Sequence, residues 1–402
     1  MKTRIESFVV AGALFLGLNG RGAEPPEPKF HAVTIDDKVQ IGYGIAIADV
    51  DGDGKPDILL ADKKQFVWYK NPGGKAAATE PWQKYVLAEN LTAHDNVCIA
   101  AQDIDGDGKC EIAVGAEWDP GDTENSGAVF YLIPPADRTQ RWEAVKLHAE
   151  PTVHRMRWMQ GEEGVWELVV APLHGRGNKN GEGNGVHVLG YHRPAGDPHG
   201  EWTTHVIDDS MHMTHNFTRD ESGSGFLLAG REGLADVRQH AGVWNRTPLS
   251  FISELAGAGF KGVGEIRLGK GPRNFMATVE PMHGNALVCY ISPAAGGSTW
   301  ERHVLTDQLT EGHALACADI LGTGSDQIVI GWRGNPQHPK PVGIHLWTAL
   351  DPNGEHWRDS AVDDDGIACE DLQVADLNGD GKLDIIGAGR ASHNLKLYLN
   401  ER

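Results

Sequence analysis

The side chains able to do chemistry fall into two sets: three short runs of carboxylates, and histidines spread along the chain. The runs are Asp49–Asp57 (DVDGDGKPD), Asp103–Glu111 (DIDGDGKCE) and Asp376–Asp384 (DLNGDGKLD). Each offers side-chain oxygens at positions one, three, five and nine: Asp49, Asp51, Asp53 and Asp57, then Asp103, Asp105, Asp107 and Glu111, then Asp376, Asn378, Asp380 and Asp384. Position seven (Lys55, Lys109, Lys382) can add its carbonyl, and glycines stand where the backbone must turn. Acids packed this closely repel unless a cation lies between them. A divalent ion, calcium by its preference for oxygen, is the expected occupant of all three loops.

Each run sits between two apolar segments, such as Ile45–Ala48 before and Ile58–Leu60 after the first. A third apolar segment and a fourth opening on Trp follow, as in Phe66–Tyr69 and Trp82–Leu87. The fourth recurs at Trp142, Trp202, Trp300 and Trp357, the last three in repeats where the acidic run has decayed. A repeat of about 50 to 60 residues with four strands predicts a β-propeller. Repeats begin near residues 41, 91, 152, 211, 259, 311 and 367, the fourth being the weakest match. The last lacks its outer strand, and Phe30–Ile35 has the matching pattern. The expectation is an all-β, seven-bladed, single-domain ring over 24–402, closed by the N-terminal strand. The Gly/Asn-rich insertion 175–185 reads as a flexible loop.

Residues 1–23 read as a signal peptide: Lys2 and Arg4 precede an apolar run from Phe8 to Leu18, too short to span a bilayer. Export to the periplasm or beyond, without membrane insertion, is the expectation. The five cysteines show no pairing framework. A net charge of −20 argues against nucleic acid as a partner.

The acidic loop between the first two strands of each repeat resembles the FG-GAP/VCBS repeat, found also in the integrin α-subunit propeller. That resemblance covers essentially the whole mature chain and implies fold and calcium rather than activity. In the sixth repeat, Leu321 and Thr323 replace ligands, so calcium is not expected there.

Because these loops mark one face of the disc, the start of each innermost strand and the end of each second strand must lie on the other face, around the axis. The starts carry Tyr43, His94, His154, His212, His215, His313 after Glu311, and Glu370; the ends carry Asp62, Glu117, His174, Arg231, His283, Arg333 and Arg390. The pattern PLHG at 172–175 and PMHG at 281–284 is shared. For any one of nineteen histidines a hydrogen-bonded structural role competes with function. Seven aimed at one face, with three arginines, favour a site.

Neutral imidazoles with a carboxylate suit zinc or manganese. Such a metal polarises a carbonyl or hydroxyl while a neighbouring histidine takes the adjacent acidic proton. The expected metal ligands or proton-transfer groups are His94, His154, His174, His283 and His313, with Tyr43 as an acid or base. Arg231, Arg333 and Arg390 would hold substrate, assisted by Glu311 or Glu370. An exported propeller with calcium loops and this channel mouth is similar to the propeller portion of aldos-2-ulose dehydratase-type enzymes, the segments Glu311–Ala316 and Ile328–Arg333 suggesting it. The resemblance, which does not extend to that enzyme's cupin domains, implies metal-dependent dehydration of a keto-sugar. Seven-bladed uronate lyases, which work through His, Tyr and Arg, offer a metal-free alternative. Two non-catalytic readings compete: a calcium-braced module binding a glycan or protein, and a purely structural repeat.

Overall fold

The computed structural model describes residues 24–161, 164–220, 224–294, 297–335, 337 and 341–402. The signal-peptide expectation falls on 1–23, outside the described residues.

The second strand of a blade is apolar on both faces because both are covered by neighbouring blades. Asp57–Ala61, Glu111–Ala116 and Gln327–Trp332 are buried along their whole length. The outer strands are more exposed: Gln83–Glu89 is buried only at Leu87 and Ala88. The result is seven four-stranded antiparallel sheets, six of them ordered by sequence from axis to rim. Their innermost strands are Gly44–Ala48, Cys98–Gln102, Val153–Gln160, Thr214–Arg219, Glu265–Gly269, Gly312–Ala318 and Cys369–Ala375. The described helices are two short turns, Ala76–Thr79 and Phe251–Ala256.

The seventh sheet takes its outer strand from the other end of the chain. Phe30–Asp36 pairs antiparallel with Asn394–Asn400, as the sequence led us to expect. First and last blades then share one core, in which Ile58, Leu60 and Val67 pack with Ile386, Leu395 and Leu397.

The insertion expected to be flexible is instead docked. Thr123 Oγ1 donates to Asn178 O (3.0 Å), Asn178 Nδ2 donates to His212 O (2.9 Å), and Arg231 donates to Asn180 O (3.1 Å). Asn178 itself is buried. Its Nδ2 has two acceptors, Asn184 O and His212 O, while its Oδ1 is buried without a hydrogen bond.

The side chains of the five cysteines are unpaired; four are buried in or beside strands. Among the described residues, no helix is long and apolar enough to cross a membrane.

Candidate active site at the hub

Four innermost strands share an irregularity at their first residues. Their register with the second strand slips between Val153 and Arg155, Thr214 and Asn216, Gly312 and Ala314, and Cys369 and Asp371. The extra residues are His154, His215, His313 and Glu370. A bulge of this kind re-aims one side chain without displacing the strand's apolar alternation. Blade five has no such slip in its innermost strand. It contributes His283 from the turn after its second strand, in the left-handed region at φ 51°.

These residues meet at the axis. His215 Nε2 lies 2.7 Å from His283 Nε2, and one nitrogen of His313 is within 4.8 Å of both. Ring centroids are 4.6 Å apart for His215–His283, 4.9 Å for His283–His313 and 5.1 Å for His215–His313. His154 stands behind, 4.7 Å from His215 and stacked on Trp118. Backbone carbonyls fix the other ring nitrogens: His154 Nδ1 to His215 O (2.9 Å), His215 Nδ1 to Gly264 O (3.0 Å), His313 Nδ1 to Glu370 O (2.5 Å). A carbonyl accepts only, so each of these three Nδ1 atoms carries the proton, and Nε2 is left with its lone pair.

Arg333 links the cluster to two carboxylates. It donates to Glu311 (2.9 Å) and to both oxygens of Glu370 (2.9 Å), with Nη2 3.4 Å from His283 Nδ1. Arg390 also donates to Glu370 (3.1 Å) and lies over the Tyr43 ring. His154, His215, His313 and Glu370 are buried, while His283, Arg390 and Glu311 reach toward solvent.

Burial, then the charge of nearby arginines and the neighbouring imidazoles, holds all four histidines well below the usual imidazole value. They are neutral at pH 7 and able to ligate. Burial alone would depress Arg333, but Glu370 and Glu311 outweigh it and keep the guanidinium charged.

A second layer lines the channel beneath. Asn216 Nδ2 donates to Glu265 (2.7 Å), Arg157 donates to Phe217 O (3.1 Å), and Asp371 accepts from Ile45 N (2.8 Å). Burial raises the carboxyls of Glu265 and Asp371, and burial beside Arg267 pushes Arg157 down to about 10.

Of the expected hub residues, His154, His283, His313, Arg333, Arg390, Glu311 and Glu370 come together. Tyr43 is adjacent, its hydroxyl 3.3 Å from Asp95. Three do not join. His94 is exposed and pairs with Glu117 (2.9 Å), because its blade has no bulge and the strand begins four residues later, at Cys98. Arg231 turns outward to Glu182 (2.6 Å). His174 has its backbone bridged to Met213 and its Nδ1 buried without a hydrogen bond, with no ring contact to the four among the described residues. The structure instead brings His215 into the cluster, and His94 and His174 lie outside it. His212, three residues earlier, is the one that faces solvent, paired with Glu232 (2.8 Å). The channel residues Arg155, Arg157, Glu265, Arg267 and Asp371 carry a signal in their spacing, since alternate residues of an innermost strand face the axis.

On the opposite face the acidic loops are built alike. Gly52 and Gly54 amides donate to Asp49 (2.7 Å each), Gly106 and Gly108 to Asp103 (2.7 and 3.0 Å), Gly379 and Gly381 to Asp376 (2.7 and 2.8 Å). Oxygens of Asp49, Asp51 and Asp53 lie within 4.8 Å of one another, as do those of Asp103, Asp105 and Glu111, so both sets fit a hard cation. The position-nine acids are buried and accept backbone amides; burial, with the neighbouring aspartates adding to it, pushes Asp57 and Glu111 up to about 7 and Asp384 to about 6. Lys70 meets Asp51 and Asp53, countering part of the first loop's charge.

Comparison with known proteins agrees with this division. Residues 49–114 match the FG-GAP-like repeat, and 126–293 match the aldos-2-ulose dehydratase β-propeller domain. The second span contains His154, His215 and His283 but not 311–333, the segment on which the sequence resemblance leaned. Aldos-2-ulose dehydratase of Phanerodontia chrysosporium is 27% identical over 144 residues, 31% of this chain and 16% of that protein. The chain thus spans a small part of that relative's length. Among solved structures, BBS1N in complex with ARL6DN superposes with a TM-score of 0.53 at 13% identity, covering 92% of this chain and 96% of that one. The Cps50 (Swd1) propeller domain of Myceliophteria thermophila gives 0.51 at 9% identity, covering 91% and 99%. These likenesses concern fold alone. The chain is a seven-bladed propeller with an FG-GAP-like repeat and a partial, distant likeness to the propeller domain of a sugar dehydratase.

Proposed function

We propose that the hub is the active site of an exported, metal-assisted carbohydrate lyase or dehydratase acting on a keto-sugar or related saccharide, on a scaffold braced by calcium. The observation that carries this reading is the convergence of His215, His283 and His313 from three blades, one nitrogen of each ring within 4.8 Å of the others and the imidazoles uncharged at neutral pH. Those three would hold zinc or manganese. When bound, the metal would polarise a substrate carbonyl or hydroxyl.

The chain's own groups supply the rest. Arg333, fixed by Glu311 and Glu370, presents positive charge beside His283, suited to an enolate or carboxylate oxygen. Glu370, 3.9 Å from His313 Nε2, and Glu311 are the carboxylates positioned to take the proton beside the carbonyl. The proton so taken, passed to the hydroxyl on the next carbon, lets that hydroxyl leave as water. Tyr43 fits the metal-free alternative less well: burial pushes its phenol up, and its hydroxyl faces Asp95.

The test is turnover of keto-sugars and uronates, followed by the absorbance of the unsaturated product. Activity should vanish with chelator, return with zinc or manganese but not calcium, and be lost in His283→Ala. Chelator-resistant turnover would move the assignment to the metal-free lyase. No turnover by metal-loaded protein on either class would favour a glycan- or protein-binding module.

A further inference from the structure

Blade three lacks the acidic loop, yet its outer half holds a separate cluster. Glu167 lies on the second strand, Trp166–Pro172, His192 ends the third, Val188–His192, and His205 is on the outer strand, Thr203–Asp208. The pairing of Leu168 with Tyr191 and of Gly190 with His205 puts all three on one sheet face, toward blade four. Glu167 Oε2 is 3.4 Å from His205 Nε2 and 4.0 Å from His192 Nε2. The imidazoles stack with centroids 5.3 Å apart.

Two features mark this as more than an ion pair. The Glu167 side chain is 1% exposed, and its Oε2 makes no hydrogen bond. A buried carboxylate oxygen without a donor is costly, and structures rarely leave one so. The space beside it is kept open by Gly190, where a Cβ would come within 2.5 Å of Glu167 Oε2 and 2.6 Å of the His205 ring.

We propose that Glu167, His192 and His205 form a further divalent-metal site, of the zinc class, clipping together three strands of a blade that has no acidic loop. Two imidazoles and one carboxylate are a zinc-type donor set, unlike the all-oxygen loops. Donors about 2.0–2.2 Å from a tetrahedral zinc lie about 3.2–3.6 Å apart. The Glu167–His205 separation of 3.4 Å falls there, the Glu167–His192 one of 4.0 Å just outside it, and all three donors lie within 4.8 Å of one another. His192 and His205 are 42% and 35% exposed, so an ion enters from the rim and keeps a water-facing position.

The test uses the full chain, stripped of metal, saturated with calcium and dialysed against zinc, with bound zinc counted by mass spectrometry. His192→Ala, at a half-exposed strand end, should bind one equivalent fewer than wild type or bind it at least tenfold more weakly. His283→Ala should lose a different equivalent, and the double variant both, so failure of the hub assignment leaves this result readable. Should His192→Ala not fold by circular dichroism, the isosteric Glu167→Gln carries the same measurement. Zinc content and affinity equal to wild type in the folded variant would overturn the proposal.

Discussion

His283 differs from the other cluster members in facing solvent and in sitting on a turn rather than inside a strand. Its replacement by alanine should therefore cost at least about 100-fold in turnover, as removal of a metal-polarising or proton-transfer group does. The unfolding midpoint should move by no more than about 2–4 °C, the shift expected for about 1 kcal/mol. His174→Ala, away from the cluster, should keep its activity. Arg333 makes the opposite kind of prediction. Its loss leaves Glu370 buried with Arg390 as its remaining charged donor, so Arg333→Ala should destabilise by about 2–3 kcal/mol in urea, at or below the range for breaking a buried pair. A wild-type urea curve would contradict this. Most of these residues were legible in the sequence, because the start of strand one and the end of strand two must share a face. His215 was not singled out, since His212 competes three residues away and only the bulge after Thr214 decides between them.

At the scale of the element, the bulge is the device that turns a strand start into a site. It occurs in blades three, four, six and seven and not in one, two or five. No composition rule distinguishes Val153-His154-Arg155 from Val97-Cys98-Ile99 as bulged or regular, so this part lay beyond sequence reasoning. Third and outer strands gave a clearer signal, and one pair makes a pH prediction. As an imidazolium, His345 donates from both ring nitrogens, to Asp359 (2.7 Å) and Asp364 (3.0 Å). Burial lowers its basicity, but the two carboxylates outweigh this and leave it above the usual 6.5. The imidazolium is thus favoured by folding. Its stabilisation is full below about pH 6.5 and is lost as pH rises through the folded value. Wild type should exceed His345→Gln in stability at pH 6 by about 1 kcal/mol or less, and by less at pH 8.5, when both are unfolded in urea. A gap that widened with pH would contradict it.

For the whole molecule, closure is the governing event. The rim-side edge of Asn394–Asn400 is covered only while Phe30–Asp36 pairs with it. A chain beginning at residue 37 should expose that edge and elute as aggregate in size-exclusion chromatography, where the full chain does not. Calcium should act at the same scale. Saturating two or three loops at about 100 times their dissociation constants contributes about 2.7 kcal/mol each. Chelation should then lower the melting temperature by about 5 °C or more, and calcium should restore it. An unchanged melting temperature would mean that lysines such as Lys70 already balance these loops. Fold, blade number and ring closure were legible because each rests on a repeated pattern. The hub was legible only in part, because it depends on register at single residues.

The most direct test of the central claim is an anomalous diffraction map, at the zinc edge, from crystals of zinc-loaded protein. The account predicts a peak at the axis, bounded by the Nε2 atoms of His215 and His313 and by a ring nitrogen of His283. An axis without anomalous density, with the three imidazoles turned apart, would contradict it.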